Sequence, residues 1–144
     1  MKSLSDFMKS QKLRRNTNKG SAFEEEIADD LRSKGWIVDV TKLNRSIKRG
    51  RWVTTKGDFF GAFDIIALKL ATPALFIQAT TARDIVSKKR RTIDGKVPAY
   101  APGREFLIVT RPEDGNGFEI HRRTVSGWAP HFVSPTIDIG WEMP

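Results

Sequence analysis

Residues 57–81 read GDFFGAFDIIALKLATPALFIQATT, and the rest of the chain arranges itself around them. Two apolar runs, Phe63–Leu70 and Ala74–Ala79, are split by Ala71-Thr72-Pro73. Short runs rich in Ile, Leu and Phe with a Pro break between them read as buried strands. The break is short enough for a hairpin, so the two strands are expected to pair antiparallel. Polar residues intrude on this pair. Asp64 opens the first strand, while Gln78 and Thr80 stand two apart near the end of the second and therefore share a face. A carboxylate among apolar side chains is costly unless it is paired, hydrogen-bonded or bound to a metal. Asp64 is the residue a function must explain.

Upstream, Ser21 begins a helix signature: Glu24 follows three residues later, and Phe23, Ile27, Ala28 and Leu31 carry an apolar face. Gly35 after Lys34 ends it, and Trp36–Val40 reads as a strand. Glu24 lies on or beside the buried face. Ser21-x-x-Glu24 is also a capping box, which by itself accounts for the residue. Both roles stay open. Met1–Asn18 is polar and basic, reads as a flexible arm, and contains no signal peptide. Such an arm either contacts phosphate or is simply an unstructured terminus.

Between helix and strand pair, Lys42–Lys56 holds six cations and no acid, with Trp52 among them, and reads as a basic loop or hairpin. Cations with an interleaved aromatic suit phosphate contact plus base stacking, although Trp52 equally suits a core anchor. Downstream, Ala82–Thr92 reads as a helix with a basic face (Lys88, Lys89, Arg90, Arg91) and apolar spots at Ile85 and Val86. Asp94–Arg104 reads as a loop, Glu105–Thr110 and Phe118–Arg123 as strands, and Arg111–Gly117 as a turn. Gly127–Pro144 lacks periodicity and reads as a packed or trailing tail. The expected organisation is an arm over 1–18, an α/β domain over 19–125 with helices flanking a mixed central sheet, and a tail over 126–144.

The 144 residues suffice for one domain with a real core. No apolar run is long enough to span a bilayer. With no Cys there is neither a disulfide nor a thiolate metal site, so the expected home is cytoplasmic. A net charge of +8, clustered rather than spread, points to nucleic acid as partner. A basic protein of a membrane surface or ribosome would leave Asp64 unexplained.

Lys19-Gly20-Ser21-Ala22-Phe23-Glu24, Phe63-Asp64-Ile65-Ile66-Ala67-Leu68 and Ile77-Gln78-Ala79-Thr80-Thr81, in this order, resemble the motifs of the PD-(D/E)xK nuclease superfamily. The closest likeness is to its archaeal-type Holliday junction resolvase branch, over roughly residues 19–110. That resemblance implies a restriction-endonuclease-like αβββαβ core, hydrolysis of DNA phosphodiesters with Mg²⁺ or Mn²⁺, a preference for branched DNA, and a homodimer. It implies a metal held by Glu24, Asp64, Gln78 and the Ala79 carbonyl, with Thr80 at the position of the family lysine.

Three positions depart from the pattern. Phe63 replaces a Pro that does no chemistry. Gln78 replaces a Glu, keeping an oxygen ligand but losing its charge, so metal should bind more weakly. Thr80 replaces the Lys and can carry no charge, a variation similar to that of a phage- and mobile-element-type subgroup. The missing cation is expected from Lys88, Lys89 or Arg83; Lys69, an odd number of residues from Asp64, should face away. Asp58 is either a further ligand or a turn residue beside Gly57. DNA contacts are expected from Lys19, Arg45, Lys48, Arg49, Arg51, Trp52, Lys56, Arg83, Lys89, Arg90 and Arg91. The competing expectation is a non-catalytic DNA-binding protein on the same scaffold, since two motif positions have lost their charge.

Overall fold

The computed structural model describes residues 22–41, 43–56, 58–98 and 101–137, with the backbone alone for 43–48 and 52–56. The basic arm, Lys19, the Ser21 cap, Lys42 and Trp141 lie outside the described residues, as do the side chains of Arg45, Lys48, Trp52 and Lys56.

Helix α1 covers residues 22–33. Phe23, Ile27, Ala28 and Leu31, the residues of its apolar stripe, are each 2% exposed or less. It ends as the Gly requires. Gly35 takes a φ of 91°, where a side chain would be strained. This lets Trp36 N–H reach the Leu31 carbonyl at 3.1 Å and Gly35 N–H the Arg32 carbonyl at 3.0 Å. Those two bonds satisfy carbonyls that the helix itself cannot.

Strand β1 (Ile37–Val40) follows, then β2 (Leu43–Lys48) and β3 (Arg51–Lys56), which form a separate two-stranded ribbon. Its two-residue turn is Arg49-Gly50, both at positive φ (52° and 73°). That is the primed turn whose twist matches a hairpin. Of the loop or hairpin read from the sequence, it is the hairpin.

Strands β4 (Ile65–Leu68) and β5 (Ala74–Thr80) come next, then a 3-10 turn (Arg83–Ile85) and helix α2 (Val86–Lys96). Strands β6 (Arg104–Thr110), β7 (Phe118–Thr124), β8 (Gly127–Trp128) and β9 (Phe132–Ser134) follow among the described residues. The main sheet runs β1-β4-β5-β6-β7-β8, with β9 also paired to β7. β4 and β5 pair antiparallel, as expected. β5 and β6 run parallel, joined by α2 as the crossover, and the other described pairs are antiparallel. The fold is α/β, with a mixed, largely antiparallel sheet.

Alternation along the strands divides the core into two layers. Ile65, Ala67, Leu75, Ile77, Ala79, Leu107 and Val109 face α1, packing on Phe23, Ile27 and Leu31. Phe76, Phe106 and Ile108 face the other way, onto Phe63 and onto Val86 and Ile93 of α2. Each fully buried aliphatic or aromatic side chain contributes about 1.5–3 kcal/mol. Packing of this kind, rather than propensity, holds α2, whose sequence VSKKRRTIDGK buries only Val86 and Ile93.

Several boundaries differ from expectation. β4 covers Ile65–Leu68 rather than Phe63–Leu70, which leaves Asp64 just before the strand, and α2 begins at Val86, after the 3-10 turn, rather than at Ala82. α2 continues to Lys96, so the first residues of the predicted loop are helical. Its buried anchors are Val86 and Ile93, seven apart on one helical face, rather than Ile85 and Val86. Of the packed or trailing tail, residues 127–137 are packed: β8 and β9 extend the sheet. There, Ile137 is buried, its N–H bonds Asp30 Oδ2 at 2.8 Å, and its carbonyl accepts Lys34 Nζ at 2.9 Å. No helix among the described residues is long and apolar enough to cross a membrane.

Candidate functional site

Asp64 stands just before β4. Its N–H bonds the Ile77 carbonyl at 2.9 Å, and its carbonyl accepts Thr41 N–H at 2.8 Å. Ile65 is opposite Ile77 and Ile66 opposite Phe76, so the same register sets Asp64 opposite Gln78. Both side chains are buried, Asp64 at 2% and Gln78 at 5% exposure.

Gln78 Nε2 donates to Asp64 Oδ2 at 2.7 Å and to the Ala79 carbonyl at 3.1 Å. Ala79 N–H donates to the same Asp64 oxygen at 3.0 Å. Two N–H donors on one carboxylate oxygen compensate much of the cost of burying its charge. Three residues that the sequence marks separately therefore meet at one point, between the start of β4 and the end of β5.

The other expected site residues sit as follows. Glu24 is 9% exposed on α1, beside Phe23 in the layer opposite Gln78 and Thr80. Thr80 is half-buried, and its Oγ1 accepts Ala82 N–H at 3.2 Å, capping the turn into α2. Lys88 and Arg91 are exposed on α2 and Lys89 half-buried; Lys88 takes no part in the Asp64–Gln78 hydrogen bonding. Lys69 faces away, as expected, with Nζ 5.8 Å from the Trp36 ring centroid. Asp58 sits at the turn whose Gly61 N–H bonds its carbonyl at 3.2 Å. Arg49 and Arg51 are exposed on the ribbon.

Arg83 and Arg90, expected on a DNA surface, are engaged inside a cluster that the sequence did not announce. Arg83 bonds Glu119 through Nε at 3.2 Å and Nη2 at 3.3 Å. His131 Nε2 lies 3.1 Å from Glu119 Oε1, and the His121 and His131 rings are 5.0 Å apart. Arg90 Nη2 is 2.8 Å from His121 Nδ1. Arginine can only donate, so His121 Nδ1 is the acceptor and its proton sits on Nε2. Burial and then the Arg90 charge hold His121 below its ordinary range, keeping it neutral. Burial alone would raise Glu119. The Arg83 hydrogen bonds and charge, with both histidines adding, leave it lowered instead.

The cluster lines an open cavity of about 470 Å³ beside the start of α2. It shares a sheet face with the first site, because Gln78, Ile108 and His121 form one cross-strand row and Thr80, Thr110 and Glu119 the next. The available signal was Glu119 and His121 standing two apart in a short strand.

Hard oxygens from Asp64, the Gln78 amide and the Ala79 carbonyl form a donor set suited to Mg²⁺ or Mn²⁺, once the amide presents its oxygen. Among the described residues no group of three or more His, Asp or Glu side chains is arranged to hold a metal ion. No family model, curated protein or solved structure matches the chain.

Proposed function

We propose that this protein is a metal-dependent DNA endonuclease of the PD-(D/E)xK type, with a restriction-endonuclease-like core and branched DNA as its first candidate substrate. The observation that carries it is the meeting of the buried Asp64, Gln78 and Ala79 through bonds of 2.7 to 3.1 Å. Support comes also from the order of elements: helix, three-strand antiparallel meander, helix, then a strand parallel to the third. Asp64, Gln78 Oε1 and the Ala79 carbonyl would hold the ion; Glu24, expected as a further carboxylate, stands on the α1 side of the sheet and is left out of this donor set. When bound, the metal supplies an activated water and stabilises charge on the phosphate oxygens.

The chain's own contribution is binding and positioning. Arg49 and Arg51 on the ribbon, and Lys88, Lys89 and Arg91 on α2, offer phosphate contacts whose strength falls with salt. Buried backbone bonds on both sides of Asp64 fix its carboxylate in place. A homodimer would present two such sites to one branched substrate.

A second reading, a non-catalytic DNA-binding protein, is favoured by one specific observation. Gln78 meets Asp64 with a neutral amide at the position where the nuclease motif has a second carboxylate. A cleavage assay separates the two, using labelled four-way junction and matched duplex with Mg²⁺, Mn²⁺ or EDTA, and D64N alongside. Metal-dependent cutting that D64N abolishes, with DNA binding kept, is the expected result. Tight, salt-sensitive binding without cutting under any metal would leave the second reading.

A further inference from the structure

Resting on the metal-dependent reading above, we infer that the Gln78 amide is a built-in stand-in for the divalent cation. It holds the metal-free site together, and a cation binds only when the amide turns its oxygen inward. Gln78 Nε2 lies 2.7 Å from Asp64 Oδ2 and 3.1 Å from the Ala79 carbonyl oxygen. Both partners accept and neither donates, so the network fixes the amide with its nitrogen inward. Asp64 Oδ2 also receives Ala79 N–H at 3.0 Å, so both of its lone-pair directions are in use. A hard cation on that oxygen must displace one donor. Ala79 N–H is backbone in the middle of the sheet and stays; the Gln78 side chain can turn.

Turned over, the amide sets Oε1 where Nε2 was. Asp64 Oδ2, the Ala79 carbonyl and Gln78 Oε1 then form three oxygens facing one point, the donor chemistry that Mg²⁺ and Mn²⁺ require. The same side chain is thus a donor to the empty site and a ligand in the filled one. A Glu at this position could do only the second. Without a cation, it would set a second carboxylate against Asp64 with no N–H between them. Glutamine gives up cation affinity and gains a site that is stable when empty.

The test uses the full-length protein, ¹⁵N-labelled, with the Gln78 side-chain amide identified by its loss in Q78A. The expected result is slow proton exchange at that amide in EDTA, and exchange faster by about ten-fold or more when Mg²⁺ saturates the site, because both hydrogen bonds are lost. By calorimetry, Q78E binds Mg²⁺ about ten-fold more tightly or better than the unsubstituted chain. It also melts lower in EDTA and recovers with Mg²⁺. Should Q78E not fold, the amide measurement on the unsubstituted protein decides alone. Mg²⁺ binding with the amide still protected overturns the inference and leaves the metal-dependent reading standing. Absence of Mg²⁺ and Mn²⁺ binding in both proteins overturns that reading, and the inference with it.

Discussion

Arg83 grips Glu119 with two nitrogens, at 3.2 and 3.3 Å, and so ties the turn after β5 to the start of β7. Arg83 stands three residues after Thr80, and on the proposed nuclease reading it is a candidate for the cation that Thr80 does not supply. The ion pair commits its charge elsewhere. Substituting E119Q keeps the shape and removes the balancing carboxylate, leaving the guanidinium available to a polyanion. On the DNA-binding reading, E119Q is expected to bind duplex more tightly at low salt. Its plot of log affinity against log salt should steepen by about 0.9, the contribution of one further phosphate contact. Fluorescence anisotropy over a salt series measures this. An unchanged slope would mean that Arg83 stays away from the bound strand.

The same cluster predicts an acid-sensitive fold. His121 is held below its ordinary value of 6.5, by burial first and by Arg90 next, while the unfolded chain titrates near that value. Below pH 6.5 the unfolded state therefore takes up the proton more readily, and stability falls as pH drops toward the folded pKa. Glu119 adds a second loss at lower pH. Burial opposes its charge but Arg83 and the histidines prevail, so its folded pKa is below 4.5 and its contribution fades as pH falls through that region. Urea unfolding from about pH 7.5 down to about pH 4 should show both declines. H121Q, which has no proton to gain, should flatten the first and weaken without abolishing the second, since Arg83 still holds Glu119.

Phe63 stands where the nuclease resemblance would put a Pro, and its role in the fold is packing. Its ring stacks on Phe106 with centroids 5.4 Å apart and meets Phe76 edge-on at 5.7 Å, all beneath α2. It is fully buried. F63A is expected to cost about 3–5 kcal/mol through lost transfer energy and the cavity left behind. F63L, nearer in volume, should cost about 1.5 kcal/mol or less. Denaturant midpoints at constant slope would measure both.

What could be read from the sequence follows from how local each signal is. Gly35 after an apolar stripe fixed the end of α1, because a left-handed cap is written in one residue. The strand pair around Asp64 and Gln78 was legible because two apolar runs flank a Pro break. The register that puts their side chains together follows from that pairing. α2 was cut short because Gly95 reads as a breaker, although Ile93, a full two turns from Val86, carried the signal that the helix continues. β8 and β9 hold two and three residues, too few to show a period. The Glu119–His131–Arg83 contacts join three separate segments, and pairing of that kind is a tertiary fact with no local signature. The Gln78 amide pointing its nitrogen inward is likewise set by its partners, not by its spacing.

Two glycines of the turn before β7 make a controlled pair for judging how tightly the C-terminal strand is held. Gly115 and Gly117 both have positive φ, 79° and 72°. An Ala at either pays a left-handed strain of about 1–2 kcal/mol. At Gly115 a Cβ meets nothing within 4 Å, so strain is the whole cost. At Gly117 a Cβ would lie 2.7 Å from the Ser134 carbonyl oxygen and 3.3 Å from Pro135 Cα. Those are backbone atoms, and Ser134 is the register partner of Phe118, so relief requires β9 to move off β7. G117A should therefore lose about 1 kcal/mol or more beyond G115A. Its β9 amides should also exchange faster while those of β5 and β6 keep their protection. Equal losses in the two variants would mean that β9 shifts at little cost and is not a fixed part of the sheet.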